Sequence, residues 1–65
     1  MKIVVNGKDQ DISVQNLDQL IRHFKLEPKK VVVELNRRIV RREDLLNVNL
    51  KEKDSVEIVE LVGGG

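Results

Sequence analysis

The chain has 65 residues with no cysteine and a single histidine, which excludes a disulfide or a cysteine-based zinc site and allows one domain at most. Hydrophobic residues make up 40% of it, nearly all Val, Leu and Ile, so the composition favours a small sheet held together by packing alone. The formal net charge is +1 and no apolar run exceeds three residues, so we expect a cytoplasmic protein with neither a membrane span nor a secretory signal.

The N-terminal segment predicts a β-hairpin. A first strand over Lys2–Val5 ends at Asn6-Gly7. This dipeptide between two extended runs is typical of a two-residue type I′ turn, because both central residues need positive φ. Residues 8–13 then form the second strand.

A helix follows, because the apolar residues now recur every three to four positions. Its predicted buried stripe consists of Leu17, Leu20, Ile21 and Phe24. The Asn16 side chain can cap the first turn, and Gln19 can reach back as its capping-box partner. Because Pro28 disfavours helix at the preceding residue and lacks an amide hydrogen, we expect the helix to end near Lys25 or Leu26.

Three strands are predicted after the helix. Val31–Leu35 is the most strand-like stretch and should lie near the middle of the sheet. Residues 36–38 are expected to turn into a short strand at 39–40, and residues 42–49 to be irregular or a single helical turn. The last strand spans residues 55–62.

Side chains of this last strand alternate at first and then break phase. Val56 and Ile58 turn inward. The next apolar residues, Val59, Leu61 and Val62, cannot all be core. The whole order of elements predicts an α+β roll over residues 1–62, in which one main helix packs on a sheet of about five strands.

Three glycines, Gly63, Gly64 and Gly65, follow the last apolar residue. They have no side chains with which to dock on the domain, so we expect an extended, mobile tail. Such a run can be a flexible spacer or an engineered scar, or the terminal group itself can have a function. If the terminal group has a function, the Gly65 carboxylate stands at the end of a segment without Cβ atoms, which can enter a narrow tunnel.

Four stretches of the chain match a known family pattern. They are Leu35-Asn36, Ile39-Val40-Arg41-Arg42-Glu43, Val56-Glu57-Ile58-Val59 and the Gly64-Gly65 terminus. Together with the opening hairpin and the helix, they resemble the ThiS family, the sulfur carriers of thiamine biosynthesis, over the whole chain. The family often has Gly after the asparagine at position 36 and Pro before the arginine at position 42, where this chain has Arg37 and Arg41.

The resemblance implies a ubiquitin-like β-grasp fold with a mixed sheet, and a function. An E1-like adenylating enzyme of the ThiF type would join AMP from ATP to Gly65, with Gly63 and Gly64 threaded into the partner. Sulfur from a desulfurase persulfide or from sulfide would then replace AMP. The resulting thiocarboxylate would serve a thiazole synthase of the ThiG type. The chain itself would be a carrier and not an enzyme, and it would bind no cofactor or metal, since the partner holds ATP.

Two groups of side chains are candidate docking sites for the adenylating enzyme. The apolar group is Val59, Leu61 and Val62, because exposed apolar side chains beside a reactive terminus mark interaction sites. The basic group is Arg37, Arg38, Arg41 and Arg42. Residues 22–42 carry eight basic and two acidic side chains, a net +6, whereas residues 43–65 carry two basic and six acidic, a net −4. This polarity would speed encounter with an acidic partner surface.

Other functions stay open from the residues alone. A molybdopterin-type sulfur carrier or another ubiquitin-like modifier needs the same Gly65 carboxylate, whereas a small RNA- or protein-binding module does not. The arginines could contact RNA phosphates, or they could simply form a solvated face. We nevertheless expect no nucleic acid, because single-strand binders stack bases on aromatic side chains and the only one here, Phe24, is predicted to be in the core.

The remaining titratable residues give no catalytic pattern. His23 has no nucleophile at a recognisable spacing, so we expect it to face solvent or be partly covered. Two pairs of carboxylates, Asp9 with Asp11 and Glu52 with Asp54, lack a third ligand for a metal ion. We expect all four to be solvated strand and turn residues.

Overall fold

The computed structural model describes residues 1–62, which fold into five strands and one α-helix. The strands are β1 (Lys2–Val5), β2 (Lys8–Asp11), β3 (Val31–Leu35), β4 (Arg38–Val40) and β5 (Ser55–Glu60), and the helix is α1 (Leu17–His23). Two 3₁₀ turns, Pro28–Lys30 and Arg42–Asp44, precede β3 and follow β4. The expectations for Gly63, Gly64 and Gly65 lie outside the described residues.

The strands form a mixed sheet in the order β2-β1-β5-β3-β4. β1 and β5 run parallel, and the other neighbours are antiparallel. β3 is an interior strand, as its apolar sequence predicts, but the central strand is β5. β5 pairs with β1 on one side and with the whole of β3 on the other.

The core lies between α1 and one face of the sheet, called the inner face below. Leu17, Leu20 and Ile21 of the predicted stripe are completely buried, and Phe24 packs partly buried beside them. Burying each such leucine or isoleucine stabilises the fold by about 1.5–3 kcal/mol. The other buried apolar residues are Ile3, Val5, Val31, Val33, Val56 and Ile58 of the sheet, and Leu45 and Leu50 of the segment between β4 and β5.

Side chains and backbone groups close both ends of α1. The Asn16 side-chain oxygen accepts from the Gln19 N–H at 2.8 Å. The Gln19 side chain reaches back to the N–H of Gln15 at 2.7 Å, one residue earlier than a capping box requires. At the other end Lys25 has φ +61°, and the Leu26 N–H donates to the carbonyl five residues back. This is a Schellman ending, and it stops α1 before Pro28 is reached.

Three strand boundaries differ from the predicted ones. β2 ends at Asp11, which pairs with the first residue of β1, and β5 ends at Glu60, which pairs with Val31, the first residue of β3. Each ladder therefore stops where its partner strand begins. β4 starts one residue early, at Arg38, because the preceding turn has only two central residues.

Both hairpins turn through two residues of positive φ. Asn6 and Gly7 have φ of 51° and 79°, as expected for a type I′ turn, and Asn36 and Arg37 have φ of 51° and 72°. Arg37 thus holds a left-handed conformation that suits glycine, at the position where the ThiS family often has one. None of the helices within residues 1–62 is long and apolar enough to cross a membrane.

Candidate functional site

An apolar patch lies on the outer face of the sheet, the face opposite α1. Alternation along β5 buries Val56 and Ile58 and leaves Val59 56% exposed on the outer side. Val59 pairs directly with the exposed Val32 of β3. Together with the exposed Ile39 and Leu61, they form the outer apolar patch: Val32, Ile39, Val59 and Leu61.

The chain leaves the sheet beside this patch. The Leu61 N–H donates to the carbonyl of Lys30 at 2.7 Å, one residue beyond the end of β5. Leu61 is 49% exposed and Val62 is 93% exposed. The three residues predicted to dock a partner, Val59, Leu61 and Val62, are therefore all accessible at the end of the domain that leads to the glycines. Their docking role stays a prediction.

The four predicted arginines lie in β4 and the segments that flank it. Arg41 and Arg42 line a shallow groove of the outer face together with Leu61. The Arg42 guanidinium also donates to the Lys29 carbonyl at 3.1 Å. Arg41 also lines a neighbouring groove together with Arg38, and Arg37 sits in the turn before β4. All four are exposed, and Arg41 connects the groove that holds Leu61 with the groove that holds Arg38.

Two asparagines, which the sequence indicates only as turn residues, hold β5 in place. Asn6 follows β1, and its side chain hydrogen-bonds both backbone groups of Ile58, at 2.7 and 3.2 Å. Asn36 follows β3, and its side chain accepts from the Ser55 N–H at 2.9 Å and donates to Asp54 at 3.0 Å. No local pattern could have revealed these partners, because they lie in a distant part of the chain.

The two pairs of carboxylates that the sequence singles out differ in their exposure to solvent. Asp9 and Asp11 are exposed, as expected. The expectation for Asp54 is wrong: it is only 9% exposed, because its carboxylate accepts from Asn36 and from the Lys51 N–H at 2.8 Å and so closes the turn before β5. Within residues 1–62 no group of three or more His, Cys, Asp or Glu side chains is placed to hold a metal ion.

Two other side chains lie where the sequence suggests. His23 is exposed at the end of α1 and meets Phe24 edge to face, with ring centroids 5.1 Å apart. Glu52 is exposed, and its carboxylate accepts from the Lys2 N–H at 2.9 Å. Both contacts are structural.

The chain is similar to known proteins over its whole length. The sequence model of the ThiS family matches residues 3–65. The sulfur carrier protein ThiS of Bacillus subtilis is 38% identical over 63 residues, which cover 94% of this chain and 96% of that protein. The crystal structure of the thiamine biosynthesis protein ThiS from Geobacter metallireducens superimposes with a TM-score of 0.84 at 32% identity, covering 100% of both chains.

Two longer relatives contain a similar stretch. They are the thiazole synthases of Paramagnetospirillum magneticum, 33% identical, and Magnetococcus marinus, 36% identical, each over 66 residues. The match covers 100% of this chain but 20% of each synthase. The chain thus spans about a fifth of the length of these two relatives.

A mixed sheet of five strands within residues 1–62, with α1 on one face and a close structural match, defines a ubiquitin-like β-grasp domain. This confirms the fold class that the sequence predicts. Since the family match extends over nearly the whole chain, the chain belongs to the ThiS family of sulfur carrier proteins in thiamine biosynthesis.

Proposed function

We propose that this chain carries sulfur for thiamine biosynthesis on the carboxylate of Gly65. The observation that carries the proposal is the family match, which runs through residue 65 and includes the terminal glycines. The chain is a protein co-substrate and not an enzyme. It contributes an acyl group, and its partners contribute the catalytic groups.

The chemistry requires two steps on the same carboxyl group. A carboxylate is a poor electrophile, so the Gly65 oxygen first attacks the α-phosphate of ATP, releasing pyrophosphate and giving an acyl adenylate. A sulfur nucleophile then adds to the carbonyl and expels AMP, which leaves a thiocarboxylate. ATP binding and oxyanion stabilisation belong to an E1-like enzyme of the ThiF type, and the carrier needs no cofactor of its own.

A thiazole synthase of the ThiG type is the proposed sulfur acceptor. Two proteins named thiazole synthase contain a stretch similar to the entire chain, which supports a working relationship between the two activities. We propose the outer apolar patch and Val62 as the surface that docks the adenylating enzyme. The four arginines, Arg37, Arg38, Arg41 and Arg42, are proposed to assist encounter.

The decisive experiment measures the intact mass of the chain after incubation with a ThiF-type enzyme, ATP and sulfide. The parent chain should gain the mass of an oxygen-to-sulfur exchange. Deleting Gly65 removes about 3.5 Å of reach, and adding one residue after it turns the acid into an amide, so neither variant should react. Asp9→Asn, on the far edge strand, is the control and should react like the parent. Full conversion of the extended variant would overturn the proposal.

A further inference from the structure

Two carboxylates face each other beside the outer apolar patch. Glu34 of β3 and Glu57 of β5 are directly opposite in the antiparallel register. The next pair on the same face is Val32 with Val59, at the centre of the patch. Opposed residues of this kind have Cβ atoms about 4.5–5.5 Å apart, and like charges in such a pair destabilise the sheet.

Within residues 1–62 neither carboxylate takes part in an ion pair. The ion pairs there join the N-terminus to Asp11, Asp18 to Arg22, and Glu27 to Lys30. None involves Glu34 or Glu57. On its other side Glu34 is paired with Ile39, an exposed apolar residue of the patch. We therefore expect the two charges to weaken the fold, with no ion pair among the described residues to offset them.

The opposite end of the patch carries more basic than acidic side chains. Arg41, Arg42 and Glu43 line the groove that contains Leu61. Leu61 is four residues beyond Glu57, about 13 Å along an extended chain. The outer face therefore runs from a net positive charge beside the chain exit, across the apolar patch, to a pair of anions.

We propose that these charges fix the orientation in which the carrier docks on its adenylating enzyme. Acidic side chains of the partner face Arg41 and Arg42 where the tail enters, and one basic side chain of the partner, ideally an arginine, binds between Glu34 and Glu57. A guanidinium has five donors and can bridge two carboxylates. This inference rests on the proposed function and adds the chemistry of the partner surface to it.

An apolar patch alone could dock on a partner in either of two opposite orientations. Opposite charges at the two ends of the patch favour one of them. In the reversed orientation both ends would bring like charges together, which is strongly unfavourable. The correct orientation directs the chain end toward the nucleotide. Because the opposed acids are expected to lower the stability of the free domain, removing them should not lower stability although it weakens binding. The effect on recognition can therefore be measured separately from the effect on stability.

The test replaces both acids by their neutral isosteres, in Glu34→Gln with Glu57→Gln. Because the substitutions remove repulsion, the thermal midpoint should stay the same or rise. The dissociation constant for the ThiF-type enzyme should increase by roughly tenfold, mainly through slower association with a weaker dependence on salt. At saturating enzyme the variant should still be converted fully, because the carboxylate of Gly65 is unchanged.

A control removes two charges from the same face but far from the patch, in Asp9→Asn with Asp11→Asn on the edge strand β2, and it also removes the ion pair between Asp11 and the N-terminus. It should bind like the parent. Equal losses in both double variants, an unchanged dissociation constant in the glutamine variant, or a lowered thermal midpoint would each overturn the orientation proposal. Failure of the parent chain itself to gain sulfur would instead overturn the proposed function, so the two failures are distinct.

Discussion

The side chain of Asn6 binds both main-chain groups of Ile58. Its Oδ1 accepts the Ile58 N–H at 2.7 Å, and its Nδ2 donates to the Ile58 carbonyl at 3.2 Å. The Asn6 N–H also donates to the carbonyl of Val56 at 2.9 Å. The asparagine amide thus extends the β1 side of the ladder along β5 after the backbone of β1 has turned away.

Replacing Asn6 by alanine should destabilise the domain by about 2–4 kcal/mol. The change removes two hydrogen bonds and leaves a residue less tolerant of positive φ in the turn. Asn6→Asp keeps the acceptor and loses the donor, so its loss should be smaller. Urea unfolding measures both. A loss for Asn6→Ala of only about 0.5 kcal/mol, typical of a neutral surface change, would contradict this assignment.

Replacing Arg37 by glycine should stabilise the domain by about 1 kcal/mol. Arg37 has φ 72°, and a left-handed backbone costs a residue with a side chain about 1–2 kcal/mol relative to glycine. Arg38→Gly is the control, since Arg38 belongs to β4 and glycine in a strand destabilises by about 0.5–1 kcal/mol. Opposite shifts of the denaturation midpoint are expected. Shifts of the same sign would show that lost charge, not backbone strain, decides the outcome.

Leu61→Asp should weaken binding to the adenylating enzyme at least about tenfold and leave the fold intact. A half-exposed leucine beside the chain exit contributes apolar area to an interface, and an aspartate there would be buried without a partner. Leu46→Asp is the matched control, because Leu46 is 64% exposed but lies in the segment between β4 and β5. Titration calorimetry and circular dichroism provide the two readouts. Equal affinities for the two variants would remove Leu61 from the docking surface.

Arg41 and Arg38 should differ in their effect on association. Arg41→Glu places an anion in the groove that holds Leu61, whereas Arg38→Glu makes the same charge change in the neighbouring groove, which Leu61 does not line. At physiological salt, charges more than about 8 Å apart are largely screened from one another, so a charge change next to the docking surface affects association more than one farther away. Arg41→Glu should therefore slow association more than Arg38→Glu. Stopped-flow rates over a series of salt concentrations test this. If both variants slow association equally, only the net charge matters, and if neither does, the arginines are solvated surface residues.

Local features of the fold could be predicted because short-range chemistry decides them. The Asn6-Gly7 turn, the buried stripe of α1 and the inward Val56 and Ile58 each follow from spacing within a few residues. Strand ends could not be predicted as well. The ends of β2 and β5 depend on where another strand begins, which the sequence of one strand does not contain.

The candidate site shows the same division. Alternation alone indicates that Val59 and Leu61 are accessible. The burial of Asp54 and the bonds of Asn6 to a residue 52 positions away depend on tertiary register. Sequence spacing does not indicate which arginines lie beside Leu61, and the structure places Arg41 and Arg42 there.

The central position of β5 has a mechanical consequence. A force applied along this strand toward Val62 is opposed by backbone hydrogen bonds to β3 on one side and to β1 on the other. Ladder hydrogen bonds lie across the strand direction, so such a pull loads many of them in shear at once. A partner can therefore bind and release the end of the chain while β5 stays paired with its neighbours in the sheet.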